Sequence, residues 1–540
     1  MRPHPPARPH PALVLLLALA ALLLSAVPAL GAARSTGPLA VTGSGLVAGL
    51  PMDGAEAFLG IPYAAPPTGT GRFRAPRPPA RWDGVRQATR QAPACLQFSP
   101  FGLADPQNVS EDCLYLDVHR PAGAAPGARL PVIFWIHGGA YSQGTGTQFG
   151  GRTMAGLTGS IVVSINYRLG QLGYLALPQF DQEGTVGSGT WGLQDQIAAL
   201  AWTRRNATAF GGDPGNITIA GQSAGAGSVC ALLTSPRTAG LFSRAILQSG
   251  PCSLLTAPDQ RTAQADGQAY AAAAGCPQGP DTLTCLRTAP PAALLAAAQS
   301  HPTPGPATGT PVLPRQPIDA ITAGAWHQVP ILIGSTAAEA RLLVALTQPH
   351  LTAEQYTARI TADYGPAAAG ILAHYPLADH PSPYLAYSAL LTDATFACHT
   401  YRTATTLRTQ VPTYVYEFDD PGSPTLLGAQ VPGLDESNAH SAELAYLFDF
   451  TMGDRPLTSS QKALADQMKR SWAAFARTGN PNTPGQAAWP TAGGDTYRVQ
   501  SLRPDGATRT ITTFAADHQC ALWSSPADAG GPPPRAGDRR

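Results

Sequence analysis

Ser223 stands in Gly221-Gln222-Ser223-Ala224-Gly225, a Gly-x-Ser-x-Gly pentapeptide that occurs once in the 540 residues. A serine hydroxyl is a weak nucleophile unless it is held out beside a base and near donors for developing charge. The pentapeptide follows the apolar run Ile217–Ala220 and opens the helix-like stretch from Ala224, the strand–turn–helix context this device requires. Small residues at both glycine positions let the chain turn sharply with Ser223 at its tip. The Ala224 amide, at a helix N-terminus, then faces a developing oxyanion. The alternative is a glycine-rich turn carrying an idle serine. A second candidate is His137-Gly138-Gly139-Ala140-Tyr141, directly after an apolar run. Glycines there allow main-chain amides to approach a substrate carbonyl.

Twelve histidines compete for the role of base. His440 follows the polar loop Gly433–Asn438 and precedes a helix-like segment, which suits a side chain presented at a sheet's edge. His327, His399 and His518 are the competing candidates. Glu339 lies four residues beyond the strand-like run Val329–Ser335. The order Ser223, Glu339, His440 is that of nucleophile, acid and base in one fold class of hydrolases.

These residues need a frame, and the pattern supplies one. Strand-like runs at Leu130–Ile136, Ser160–Ile165, Asn216–Ala220, Arg244–Gln248, from Val329, and at Thr413–Glu417 alternate with helix-like stretches at Leu193–Phe210, Ala224–Thr234 and Ser459–Thr478. Alternation of this kind is the α/β signature, and continuous apolar strands suit a large, mostly parallel central sheet covered on both faces by helices. No linker divides the body, so residues 35–524 are expected to form a single catalytic domain. The Pro/Thr-rich stretch Pro302–Pro317 reads as a surface loop, and residues 525–540, with three consecutive prolines, as a disordered tail.

The composition narrows the partners. With 44% apolar residues the chain can bury a large core, and a net charge of +1 with no basic block excludes nucleic acid and anionic membrane as partners. Charged residues are 13%, and the only lysines are Lys462 and Lys469. Arg2 and Arg8 precede the apolar run Ala12–Leu24, followed by small residues at Gly31, Ala32 and Ala33. Residues 1–33 therefore read as a secretory leader cleaved near residues 31–34. The run, about 13 residues, is short of the ~20 that span a bilayer, so stable membrane insertion is not expected. Eight cysteines suit disulfides in an oxidising compartment. Cys276 and Cys285 close a short Pro-containing loop, as do Cys95 and Cys113, and neither pair has zinc-ligand spacing.

Several segments carry a family resemblance. Phe210-Gly211-Gly212, the run Ile217–Ala220 and the pentapeptide together resemble the serine signature of the type-B carboxylesterases, which include cholinesterases and bacterial para-nitrobenzyl esterases. Glu111-Asp112-Cys113-Leu114-Tyr115-Leu116-Asp117-Val118 is similar to that family's second signature. Phe58–Tyr63, Asn166–Gly170 and the segment Ala439–Phe448 around His440 match further family segments, over a span from Val41 to Trp523. The resemblance implies an α/β-hydrolase fold and a serine esterase acting on neutral, small-molecule carboxylic esters through an acyl-enzyme, and the leader implies that it is secreted. It needs no metal or organic cofactor, and no segment specifies an oligomer. Ser223, Glu339 and His440 would be the triad, and the amides of Gly139, Ala140 and Ala224 the oxyanion hole beside Gly138. Ala140 replaces a common third glycine, and Ala340 a glycine after the acid. Gln222 stands where Glu is usual, removing a negative charge beside the nucleophile. Ser249 matches a buried serine near the histidine. The resemblance also implies the pairs Cys95–Cys113, Cys276–Cys285 and Cys398–Cys520, and leaves Cys230 and Cys252 either free or joined in an extra bridge. Between Cys95 and Cys113 stand Phe98 and Phe101 but no Trp to hold a quaternary ammonium, which disfavours choline esters. The alternatives are a lipase for longer acyl chains and a non-catalytic binding relative, which typically lacks the nucleophile.

Overall fold

The computed structural model describes residues 37–97, 108–183, 187–301, 305–425, 434–450 and 455–523. The leader, the C-terminal tail, Phe98 and Phe101 lie outside the described residues.

The strands that place the site are β1 (Leu50–Met52), β2 (Ala55–Pro62), β3 (Tyr115–Pro121), β4 (Leu130–Ile136), β5 (Ile161–Ile165), β6 (Gly212–Gln222), β7 (Arg244–Gln248), β8 (Ile331–Thr336), β9 (Thr413–Phe418), β10 (Val499–Leu502) and β11 (Arg509–Ile511). They form one 11-stranded sheet in the order β11-β10-β9-β8-β7-β6-β4-β5-β3-β2-β1. Pairing is parallel from β5 through β4, β6, β7, β8 and β9 to β10, and antiparallel at both flanks.

Both faces are buried, as unbroken apolar strands require. On β4, Phe134 and Ile136 join one core cluster while Ile133 and Trp135 join another. Helices α1 (Trp191–Asn206) and α2 (Ala224–Thr234) contribute Leu200, Val229 and Leu233 to the first cluster. The second receives Met468, Trp472 and Phe475 from a long helix over Ser459–Thr478. That helix starts at a capping box of Thr458 and Gln461 and stops at Gly479, which has φ +80°. Its buried face also carries Lys469, whereas Lys462 is exposed.

Local chemistry adjusts the expected boundaries. The helix-like stretch through Phe210 breaks at Asn206, and its last turn tightens into a 3₁₀ helix, Ala207–Phe210. Strand β8 starts at Ile331 because Pro330 has no N–H for the ladder, although its carbonyl accepts from Ala245. The Pro/Thr-rich stretch is a correction. Gly305–Thr308, Thr310, Val312 and Leu313 are buried, not a surface loop. Their apolar side chains favour the interior, and their amides find partners there: Ala307 N donates to Gly189 O and Thr308 N to Pro258 O.

All eight cysteines are paired. Cys95–Cys113, Cys276–Cys285 and Cys398–Cys520 form as the resemblance implied, and Cys230–Cys252 is a fourth bridge. The fourth joins α2 to the loop after β7, and both of its cysteines are fully buried. Among the described residues no helix is long and apolar enough to cross a membrane.

Candidate active site

Strand β6 ends at Gln222, α2 begins at Ala224, and Ser223 forms the turn between them with φ 57° and ψ −126°. A non-glycine residue in this region is strained and persists only where its surroundings fix it. Here Ser223 N donates to Gln248 O at 2.8 Å, and Ser223 O accepts from Gly227 N at 2.9 Å. The glycines permit the bend. A Cβ on Gly225 would lie 2.1 Å from Ile136 O, and one on Gly221 would lie 2.5 Å from Gly225 O.

The loop after β4 lies against this turn. Gly139, Ala140 and Tyr141 have φ of 107°, 53° and 59°, and the amides of Ser142 and Gln143 close on Gly139 O at 3.0 Å. A Cβ on Gly138 would meet Gln222 O at 2.8 Å and Ser223 Cβ at 3.0 Å, so loop and turn are in contact. Ala140 is exposed, while Gly139, Ser223 and Ala224 are half-buried. The three candidate amide donors thus border an accessible surface. Ala224 N is the first amide of α2, a position with no acceptor inside the helix. His137 braces the loop from behind. Burial pushes its imidazole down to about 4, and its Nδ1 lies 2.8 Å from Gly138 O, so Nδ1 carries the hydrogen and donates to that carbonyl. Its ring stacks on Tyr167 at 4.4 Å.

The candidate acid and base come from segments that follow β8 and β9. Glu339 follows β8 and caps α3 (Ala340–Thr347), while His440 lies in the connection after β9. His440 Nδ1 donates to Glu339 Oε2 at 2.6 Å, and Glu339 Oε1 accepts from Thr336 N at 2.9 Å. The acid is fully buried and the imidazole 11% exposed, so only the ring's far edge reaches the site. That edge faces the serine turn, with His440 Nε2 3.2 Å from the side-chain nitrogen of Gln222. Burial alone pushes the imidazole down, but the charge and hydrogen bond of Glu339 and the charge of Glu443 bring it above its ordinary value. Ser223, Glu339 and His440 are therefore brought to one place.

Two neighbours, Phe396 and Glu443, are not singled out by the sequence, whereas Ser249 is. Phe396, on a π-helical turn Thr392–Ala397, packs its ring 5.1 Å from that of His440. Thr392 of the same turn accepts from Ala340 N. Glu443, fully buried and bonded to Gln248, is pushed up to about 7 by burial and then by the charge of Glu339. It stands three residues past His440, in the segment that carried the resemblance. Ser249 is fully buried with φ 51°, and its amide donates to Gly334 O. It thus lies between Gln248, which holds Ser223 N, and Gly250, where a Cβ would lie 2.3 Å from Ser223 O.

The competing histidines are engaged elsewhere. His327 Nε2 faces Ser235 O at 2.7 Å, and His399 Nδ1 faces Ser253 Oγ at 2.9 Å. His518 is held between Asp393 at 2.6 Å and Glu417 at 2.7 Å, which raise it to about 10 despite the opposing effect of burial. A protonated ring of that kind cannot serve as a base. The stretch Ala271–Ala298 packs Ala271, Leu286 and Leu294 against Leu175, Phe180 and Trp191, which makes it core filling.

Comparison with known proteins gives the same picture over the whole body. The model of the carboxylesterase family matches residues 37–523. Human carboxylesterase 5A is 34% identical over 479 residues, covering 82% of this chain and 81% of its own. Human cocaine esterase is 33% identical over 466 residues, covering 81% and 82%. Among solved structures, a carboxylesterase of Geobacillus stearothermophilus superposes with a TM-score of 0.76 at 34% identity, covering 89% of this chain and 99% of its own. A para-nitrobenzyl (PNB) esterase reaches 0.75 at 32% identity, covering 90% and 99%. With the α/β-hydrolase fold of its structural neighbours and a matching sequence throughout its described body, the chain belongs to the carboxylesterase family and is a carboxylic ester hydrolase.

Proposed function

We propose that the protein is a secreted serine carboxylesterase that cleaves neutral, small-molecule esters through an acyl-enzyme. Residues 35–524 act as one catalytic domain, delivered by the leader at residues 1–33. Ser223 Oγ attacks the ester carbonyl while His440 Nε2 takes its proton. The amides of Gly139, Ala140 and Ala224 stabilise the tetrahedral oxyanion, and the intermediate collapses as His440 protonates the leaving alkoxide. Water, deprotonated by the same ring, then releases the acid. Glu339 fixes the imidazole tautomer and stabilises the imidazolium without taking the proton itself.

The observation that carries this reading is the placement of Ser223 at a strained strand–helix turn, with the 2.6 Å Glu339–His440 pair reaching the residue beside it. A neutral Gln222 in place of a carboxylate supports neutral over cationic substrates. The four disulfides support an oxidising destination.

The test is a rate panel on para-nitrophenyl esters of graded acyl length, run beside Ser223→Ala and with an organophosphate. The expected result is one organophosphate adduct on Ser223, a burst of nitrophenol, and loss of both in the variant. Residual turnover by Ser223→Ala at the native rate would remove the serine mechanism. A rate that peaks only on long acyl chains would favour the lipase alternative.

A further inference from the structure

Gln222 touches both halves of the site. Its side-chain oxygen lies on the side of Gly138, where an added Cβ would approach it to 2.9 Å, and its side-chain nitrogen is 3.2 Å from His440 Nε2. The chemistry of the ring fixes what that second contact is. His440 Nδ1 carries its proton, because that nitrogen is 2.6 Å from the Glu339 carboxylate. In the neutral ring Nε2 therefore holds a lone pair and no hydrogen, and it can only accept. An amide NH₂ satisfies it, whereas an amide oxygen there would set two lone pairs against each other. Nε2 is also the atom that must receive the Ser223 proton.

We propose that Gln222 is a positioning residue whose amide donates to the free nitrogen of His440, holding the ring neutral and aimed at the serine turn until the Ser223 hydroxyl displaces it. This rests on the roles given above to Ser223 and His440. The charged groups facing the ring are Glu339 and Glu443, and both favour the imidazolium. Phe396, on its remaining side, is uncharged. Gln222 is the partner that favours the neutral form, since a hydrogen bond to one protonation state stabilises that state. A carboxylate at the same position cannot donate to the neutral ring, and when ionised it would add further negative charge beside it. Gln222 is 2% exposed, so water does not replace the contact freely.

The experiment is the pH dependence of kcat/KM for para-nitrophenyl acetate with the native enzyme, Gln222→Met and Gln222→Glu. Met keeps the length and loses the donor, and its acid limb should move up by a fraction of a pH unit. With Glu the limb should move up by about one pH unit or more, a loss of about tenfold at pH 6 that is recovered at alkaline pH. Three superimposable limbs, or a downward shift in either variant, would overturn the proposal, and so would a loss of rate that is equal at every pH. Ser223→Ala separates the two readings. If that variant is inactive while the limbs do not move, only the role of Gln222 falls. If it is active, the serine mechanism falls with it.

Discussion

Glu339 holds His440 at two points: its carboxylate accepts from the ring at 2.6 Å, and its main-chain carbonyl accepts from the His440 amide at 3.1 Å. The ring and the backbone that carries it are therefore both tied to the acid. Ala338 N donates to Asn438 O at 3.1 Å, a second tie between the same two loops. Because the backbone ties survive a side-chain change, Glu339→Gln should fold normally. Its kcat should drop by about 10⁴, the scale seen when an amide replaces such an acid and leaves the imidazole in the wrong tautomer. Circular dichroism with steady-state kinetics checks this, and a drop under tenfold would mean the acid is elsewhere.

Gly225→Ala should damage fold and function together. The new methyl would sit 2.1 Å from Ile136 O and 2.8 Å from His137 O, backbone atoms of the strand end that carries the candidate oxyanion loop. Overpacking of this kind costs about 1–3 kcal/mol. A lowered Tm with loss of turnover is expected, and an unchanged Tm would contradict the close packing of turn and loop.

The rate should depend on pH through His440. Its imidazole must be neutral to accept a proton, and its value lies above the ordinary 6.5. The acid limb of kcat/KM should accordingly fall above pH 6.5, with about a tenfold loss per pH unit below it. A profile that is flat from pH 5 to 9 would exclude His440 as the base.

His518 gives a separate pH signature, in stability and not in rate. Its folded value is raised to about 10 from 6.5 by the carboxylates of Asp393 and Glu417. A raised folded value means the stabilisation is fully present below pH 6.5 and is lost as pH rises through about 10. Breaking a buried pair by removing one partner costs about 3–5 kcal/mol. Urea unfolding of the native chain and His518→Gln should show that gap at pH 6 and its closure by pH 10. A gap that does not change with pH would mean the ring is held neutral.

Much of the frame was legible because local rules and burial agreed. Leu130–Ile136 and Arg244–Gln248 are apolar on both faces, and Ala224–Thr234 and Ser459–Thr478 carry their own start and stop signals, so all four formed with the bounds expected of them. Ser223 was readable for a related reason: its turn leaves a fixed pattern of small residues. Contacts between distant segments left no such trace. Phe396 meets His440 from a π-helical turn in a distant segment, and nothing around Phe396 in the chain marks it. The Cys230–Cys252 bridge depends on where α2 passes the end of β7, which cysteine spacing does not encode. The stretch from residue 305 to 313 misled because proline and threonine are common on surfaces, yet its amides all but required a partner once Val312 and Leu313 were drawn inward.

The long helix over Ser459–Thr478 seals one of the chain's two lysines inside and leaves the other, Lys462, in solvent. Apart from the α-amine, the folded molecule therefore offers amine-directed reagents a single handle. That handle sits near the start of a helix that packs on the opposite face of the sheet from α2. A dye, a bead or a surface coupled through Lys462 would fasten every copy at the same point of its surface.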